Sequence, residues 1–160
     1  MSNTINEIFA SVAPEMKKFR DEFNELTTSD IKLMDKILKY LFKHQGKQIR
    51  PLYVILTSGM CGEINETSYK AAALIELLHT ATLVHDDVVD EAEKRRGFFT
   101  INSLWKNKAA VLVGDYLLAK GLLIALDNNY FEMLKIVSEA TRQMSEGEIL
   151  QMQKSRKWEI

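Results

Sequence analysis

Residues 66–90 run for 25 positions without a glycine or a proline. At 1.5 Å per residue they can form one helix about 37 Å long. Asn65, Glu66 and Thr67 open it, and its apolar residues (AAALIELL, then ATLV) lie on most sides of it. That distribution predicts a central, buried helix. The rest of the chain is equally short of breakers, with seven Gly and two Pro in 160 residues. A sandwich or barrel needs turn residues that this chain lacks. The predicted fold class is therefore all-α.

Other helices follow from three- and four-residue apolar spacing. Ile5, Ile8, Phe9, Val12, Met16, Phe19 and Phe23 predict a helix over residues 4–26, bent or split by Pro14. Thr27, Thr28, Ser29 and Asp30 offer N-cap chemistry for a second helix through IKLMDKILKYLFKH. QGKQIRP reads as a turn leading into Pro51 at the start of a third helix, which Gly59 and Gly62 end. A strand is the alternative for LYVILTSGM, an apolar and partly β-branched run. A polar loop, EAEKRRGFF, follows the central helix. Residues 100–106 and 108–126 predict two further helices, and residues 130–157 a last amphipathic one.

Composition excludes several classes. A net charge of -1 argues against bulk attraction to nucleic acid. Cys61 is the only cysteine, so neither an internal disulfide nor a cysteine zinc cage can form, which suits a cytoplasmic protein. The start has no basic segment followed by an apolar one, so no secretory signal is expected. Charged residues break the longest apolar runs, and no integral membrane segment is expected.

The chemistry concentrates in LLHTATLVHDDVVDEAEKRRG. Asp86 and Asp90 are four apart and share a helix face; Asp87 lies about 100° round the axis. Three carboxylates at a helix C-terminus repel one another and oppose the helix dipole. Oxygen ligands without cysteine point to Mg²⁺ as the answering cation. Lys94, Arg95 and Arg96 follow within six residues, a combination suited to a polyanion bridged by the metal. A solvated acidic-basic patch is the plainer alternative. Lys47 and Arg50 flank the glycine turn and suit a second phosphate group. His79 lies seven residues, about two turns, before Asp86 and shares its face. His85 lacks such support and reads as structural.

These strings resemble the N-terminal half of the trans-isoprenyl (polyprenyl) diphosphate synthases. GKQIRP, ELLHTATLVHDDVVDEAEKRRG, NKAAVLVGDYLLAKG and EGEILQ occur in that family's order. The resemblance implies a bundle of mostly antiparallel helices around a deep apolar cavity. It implies Mg²⁺-dependent head-to-tail condensation of an allylic diphosphate with isopentenyl diphosphate in isoprenoid biosynthesis. Asp86 and Asp90 would hold Mg²⁺ on the allylic diphosphate, with Asp87 assisting as a third catalytic carboxylate. Arg95 would contact the allylic diphosphate. Lys47, Arg50, His79 and Arg96 would hold isopentenyl diphosphate, and Gln151 would line the cavity wall. Short-chain relatives close the cavity floor with an aromatic one to two turns below the aspartates. Here Ala81 and Thr82 are small, which implies a medium- or long-chain product.

The departures carry expectations too. Residues 1–160 would be the N-terminal part of one polyprenyl synthetase domain, with the second aspartate motif absent. Gln45 and Gln48 replace a common glycine and arginine around Lys47, weakening that phosphate grip. The chain alone is expected to be nearly inactive, a truncation of a full enzyme, and to self-associate as a homodimer or larger assembly through exposed apolar faces. Two other functions compete: a non-catalytic subunit of a two-component prenyl synthase, and an all-α metal-dependent phosphohydrolase suggested by His85-Asp86. The phosphohydrolase would need further ligands, and the chain has three histidines. A purely structural helical module would leave the acid-base cluster unexplained.

Overall fold

The computed structural model describes residues 2–44 and 46–157, with side chains for 7–44 and 46–155. Among them are seven α-helices and one two-stranded hairpin, in the order α1 (Ser2–Ser11), α2 (Ala13–Leu26), α3 (Lys32–Lys43), α4 (Ile49–Cys61), α5 (Glu66–Val89), β1 (Lys94–Arg95), β2 (Phe98–Phe99), α6 (Ile101–Asp127) and α7 (Phe131–Lys157). The fold is all-α, as the scarcity of breakers predicts.

The predicted first helix is two. The break falls at Val12, and Pro14 sits in the first turn of α2, where a missing N–H costs nothing. Ile5 lies outside the residues with described side chains. α3 starts without the expected cap: Ile31 holds the N-cap position and makes no side-chain cap bond. The Thr27 and Thr28 hydroxyls bond back to the Phe23, Asn24 and Glu25 carbonyls of α2 instead. Such local side-chain bonds compete with capping the next helix. LYVILTSGM is helical, with Pro51 in the first turn of α4. Gly59 lies inside α4, and Gly62 alone caps its end.

α5 matches the predicted rod. Asn65 caps it through a capping box with Ser68. Half of its 24 residues are buried. α2 and α4 pack against α5 and against each other. Met16, Phe19 and Phe23 of α2 meet Leu52 and Ile55 of α4 and Ala73, Leu77 and Val84 of α5 in one core. The predicted division of residues 100–126 survives as a break inside α6, where Lys106 takes a left-handed φ of 71°.

α6 corrects the view that charged residues disqualify every apolar run. It is the one described helix long and apolar enough to cross a membrane, its most apolar 18 residues having a mean hydropathy of 1.9. Asp115 and Lys120 interrupt it without lowering that mean far. Its Ala110, Val113 and Leu117 are buried in the core.

By internal contacts the chain divides into two compact units, Met1–Ile124 and Ala125–Ile160. The second is dominated by α7. That helix carries exposed Ile136, Met144, Ile149, Leu150 and Met152. Arg142 bridges Glu139 and Glu146 on its surface.

Candidate functional site

The first unit holds an open cavity of about 150 Å³. One face is a stripe of α5 at helical spacing: Glu76, His79, Thr80, Leu83 and Asp87. The turn before α4 supplies Lys47 and Arg50, and the hairpin supplies Arg95 and Arg96. Two basic segments far apart in sequence therefore meet against the central helix.

The hairpin that carries Arg95 and Arg96 lies in the expected polar loop. Lys94 pairs with Phe99 and Arg95 with Phe98. Arg96 and Gly97 form the turn with φ of 52° and 86°. A two-residue hairpin turn with both angles positive matches the twist of its strands. Gly97 takes that conformation freely; Arg96 does so at a cost of about 1–3 kcal/mol, a strain that must be held by surrounding structure. The Tyr40 hydroxyl donates to the Phe99 carbonyl at 2.8 Å. The His44 and Phe98 rings lie 4.1 Å apart. Thr100 anchors the far end by donating to the Ala92 carbonyl at 2.6 Å. The Arg96 guanidinium sits over Gly46, where any Cβ would collide with it.

The carboxylates divide by face. Asp87 is 7% exposed, and its Oδ1 accepts from Arg95 Nε at 2.8 Å. Asp86 and Asp90 are exposed, and no described side chain bonds or pairs with either. Asn102 fixes this end of α5 by donating to the Asp87 and Ala92 carbonyls. Among the described residues no three His, Cys, Asp or Glu side chains converge as a metal cage. Mg²⁺ does not require one: it takes one or two carboxylates and completes its shell with water and phosphate oxygens. Two uncommitted carboxylates one turn apart fit that demand.

Burial and cationic neighbours set the protonation of the cavity. Burial, then the Arg50, Arg96 and Arg95 charges, hold His79 below the usual histidine range, with Asp86 pulling the other way. His79 is thus a neutral hydrogen-bonding group at pH 7. Burial pushes Glu76 above the usual glutamate range, with Arg50 and Arg96 pulling it down.

The structure sorts the sequence expectations. Lys47, Arg50, His79, Arg95 and Arg96 line one cavity together with Asp87. Asp86 and Asp90 are not among its lining residues. His79 thus shares the cavity with Asp87, not with Asp86. Gln48 has a left-handed φ of 52°, and its side chain accepts from Arg20 at 3.1 Å. Gln45 lies outside the described residues. Ala81 is buried in the core, and Thr82 is half-buried with its hydroxyl on the His79 carbonyl. Gln151 is exposed on α7, in the second unit. His85 is structural: its Nε2 lies 3.2 Å from the Val111 carbonyl and 3.5 Å from Asp115 Oδ1. Its ring fills the space over Gly114, where a Cβ would strike it. With His85 so placed, the phosphohydrolase reading loses its histidine ligand.

Sequence reasoning missed Glu76. The acid interrupts an apolar run, three residues before His79 on the same stripe, and that spacing was the available signal.

Comparison with known proteins agrees with this geometry. The polyprenyl synthetase family model matches residues 31–160. The chain is 43% identical over 148 residues to the all-trans-nonaprenyl-diphosphate synthase (geranyl-diphosphate specific) of Rhodobacter capsulatus, covering 92% of this chain and 46% of that protein. It is 37% identical over 148 residues to the octaprenyl diphosphate synthase of Escherichia coli, covering 92% and 45%. It is 41% identical over 133 residues to the heptaprenyl diphosphate synthase component 2 of Bacillus subtilis, covering 82% and 38%. Among solved structures, the Caulobacter crescentus polyprenyl synthase complexed with calcium and isoprenyl diphosphate superposes with a TM-score of 0.86 at 32% identity, over 92% of this chain and 45% of that one. The chain thus spans less than half the length of these relatives. On the family match, the shared all-α fold and the paired basic segments against α5, the chain belongs to the polyprenyl synthetase family.

Proposed function

We propose that residues 1–160 form the N-terminal part of a trans-polyprenyl diphosphate synthase, and that this part binds both diphosphate substrates for Mg²⁺-dependent head-to-tail condensation. One observation carries the reading. Lys47, Arg50, His79, Arg95 and Arg96, from separate segments, line a single cavity beside a helix end with two uncommitted carboxylates.

Asp86 and Asp90 would each offer a carboxylate to Mg²⁺ at the mouth of α5, and the calcium and isoprenyl diphosphate bound by the Caulobacter relative support a divalent cation beside the substrate. The metal supplies charge neutralisation on the departing diphosphate. Arg95, steadied by Asp87, would grip the allylic diphosphate; Asp87 assists through that arginine. Lys47, Arg50 and Arg96 would hold the isopentenyl diphosphate, with His79 as a neutral donor. The allylic C–O bond breaks, the isopentenyl double bond attacks the allylic cation, and a proton is lost. Water must be kept from that cation. The octaprenyl and nonaprenyl products in the relatives' names support a medium- or long-chain product. Ala81 sits in the core, so an aromatic there would overpack it; Thr82, half-buried, is the better position for shortening the product.

The chain alone is expected to turn over little or nothing, to act in the cytoplasm, and to form a homodimer or larger assembly. The Bacillus relative's designation as a component supports a second reading, a subunit of a two-component synthase. Incorporation of labelled isopentenyl diphosphate into geranyl diphosphate tests both. The proposal expects no turnover by the chain alone and turnover on mixing with the C-terminal half of the Rhodobacter synthase. Turnover by the purified 160-residue chain would overturn the reading of it as an incomplete part. Turnover only with a separate complementary subunit would establish the second reading.

A further inference from the structure

The condensation proposed above makes no use of Glu76. The residue is 7% exposed on the cavity face of α5, three positions before His79. No described residue hydrogen-bonds its carboxylate, and Arg50 and Arg96 line the same cavity. A negative charge in a pocket for an anion repels the ligand. Simple charge arithmetic would have it removed.

The neighbouring acid shows what such a carboxylate can do. Asp87, on the same stripe, accepts from Arg95 at 2.8 Å and fixes where that guanidinium points. Among the described residues Arg50 and Arg96 have no equivalent direct partner. Arg50 rises from the first turn of α4, and Arg96 from a strained hairpin turn; both are exposed. Two like charges on long side chains repel one another and lose rotamer freedom on converging. A fixed negative charge on the buried helix that lines the same cavity offsets both costs.

We propose that Glu76 is a positioning residue whose carboxylate, facing Arg50 and Arg96 across the cavity, holds both guanidiniums convergent for the diphosphate group of isopentenyl diphosphate. The proposal rests on the substrate reading given above. Preorganisation of this kind raises affinity by removing the ordering cost at the moment of binding.

The experiment is calorimetric titration of the chain with isopentenyl diphosphate in magnesium buffer at pH 7, with melting temperatures measured alongside. Glu76→Gln keeps the shape and removes the charge. Positioning requires weaker binding, by at least about tenfold, the scale of one weakened charge-assisted contact. Glu76→Asp, which keeps the charge but withdraws it, should fall between. The melting temperature of the Gln variant should hold or rise, because burial outweighs the arginines at this site. Equal or tighter binding by the Gln variant would overturn the proposal. So would parallel loss of melting temperature and affinity in both variants, which marks a merely structural acid. A wild-type chain that fails to bind at all would overturn the substrate reading, and the proposal with it.

Discussion

Asp87 lies on the cavity side of the last turns of α5 with its carboxylate on Arg95, whereas Asp86 and Asp90 stand on the solvent side without a side-chain partner. The three residues span a little over one helical turn. Their different surroundings follow from the helix alone: a step of about 100° turns Asp87 inward, and a step of four brings Asp90 back over Asp86. The inward side is built for order. Asp87 fixes Arg95, Asn102 ties down the backbone, and Gly46 makes room for Arg96. The outward side is left uncommitted, which a ligand-binding carboxylate requires. One helix end thus arranges a cation on one side and, on the other, leaves two carboxylates without a side-chain partner, as the proposed metal ligands would need to be.

The largest expected effect comes from removing the cations. The double change Arg50→Ala and Arg96→Ala should weaken isopentenyl diphosphate binding by at least about 100-fold, from two lost charge-assisted contacts. Titration calorimetry measures it. Unaltered affinity would mean that the cavity is not the site. Gly46→Ala should act on the same contact more gently, by about tenfold. Its methyl displaces the Arg96 guanidinium, and the flexible end of that side chain can yield without disturbing the fold. A fall in melting temperature larger than the fall in affinity would contradict this.

The paired acid comes next. Asp87→Asn leaves Arg95 without its partner and should cost about 1 kcal/mol, kept small because Arg95 is 41% exposed. Denaturant unfolding measures it. Asp86→Asn should leave stability unchanged or slightly raised, since its removal relieves like-charge repulsion at a helix C-terminus. Equal losses in the two variants would erase the distinction between the faces.

The pH response sharpens the comparison further. The folded protein holds His79 below its unfolded value near about 6.5, so its contribution to stability is present above that pH and is lost as pH falls through the folded value. His79→Gln should flatten that part of the pH–stability curve. A steeper curve in the variant would mean that His79 is stabilised in its charged form. At the small end, Arg142→Ala on α7 breaks two exposed pairs and should not shift the melting temperature.

Much of this was legible because it is local. The breaker-free run of residues 66–90 specified α5, and the four-residue spacing of Asp86 and Asp90 placed them on one face. The break at Lys106 was readable from the change in pattern around it. What escaped is what depends on distant segments meeting. Nothing near Asp87 in the chain says that Arg95 will return to it through a hairpin. Strands of two residues are too short to show alternation, and arginine is an unusual choice for a left-handed turn position. Glu76 reads as a lone interruption in AAALIELL until the fold brings Arg50 and Arg96 to the same cavity. Thr27 and Thr28 had the right chemistry for a cap and spent it on the helix behind them.

The most direct test is a titration of the chain with isopentenyl and farnesyl diphosphates, with and without magnesium, against the double variant Asp86→Ala and Asp90→Ala. The account expects magnesium to tighten farnesyl diphosphate binding in the wild type and to have no effect in the variant, while binding of isopentenyl diphosphate through the cationic cavity persists in both. An undiminished magnesium response in the variant would contradict the claim that these two carboxylates hold the metal.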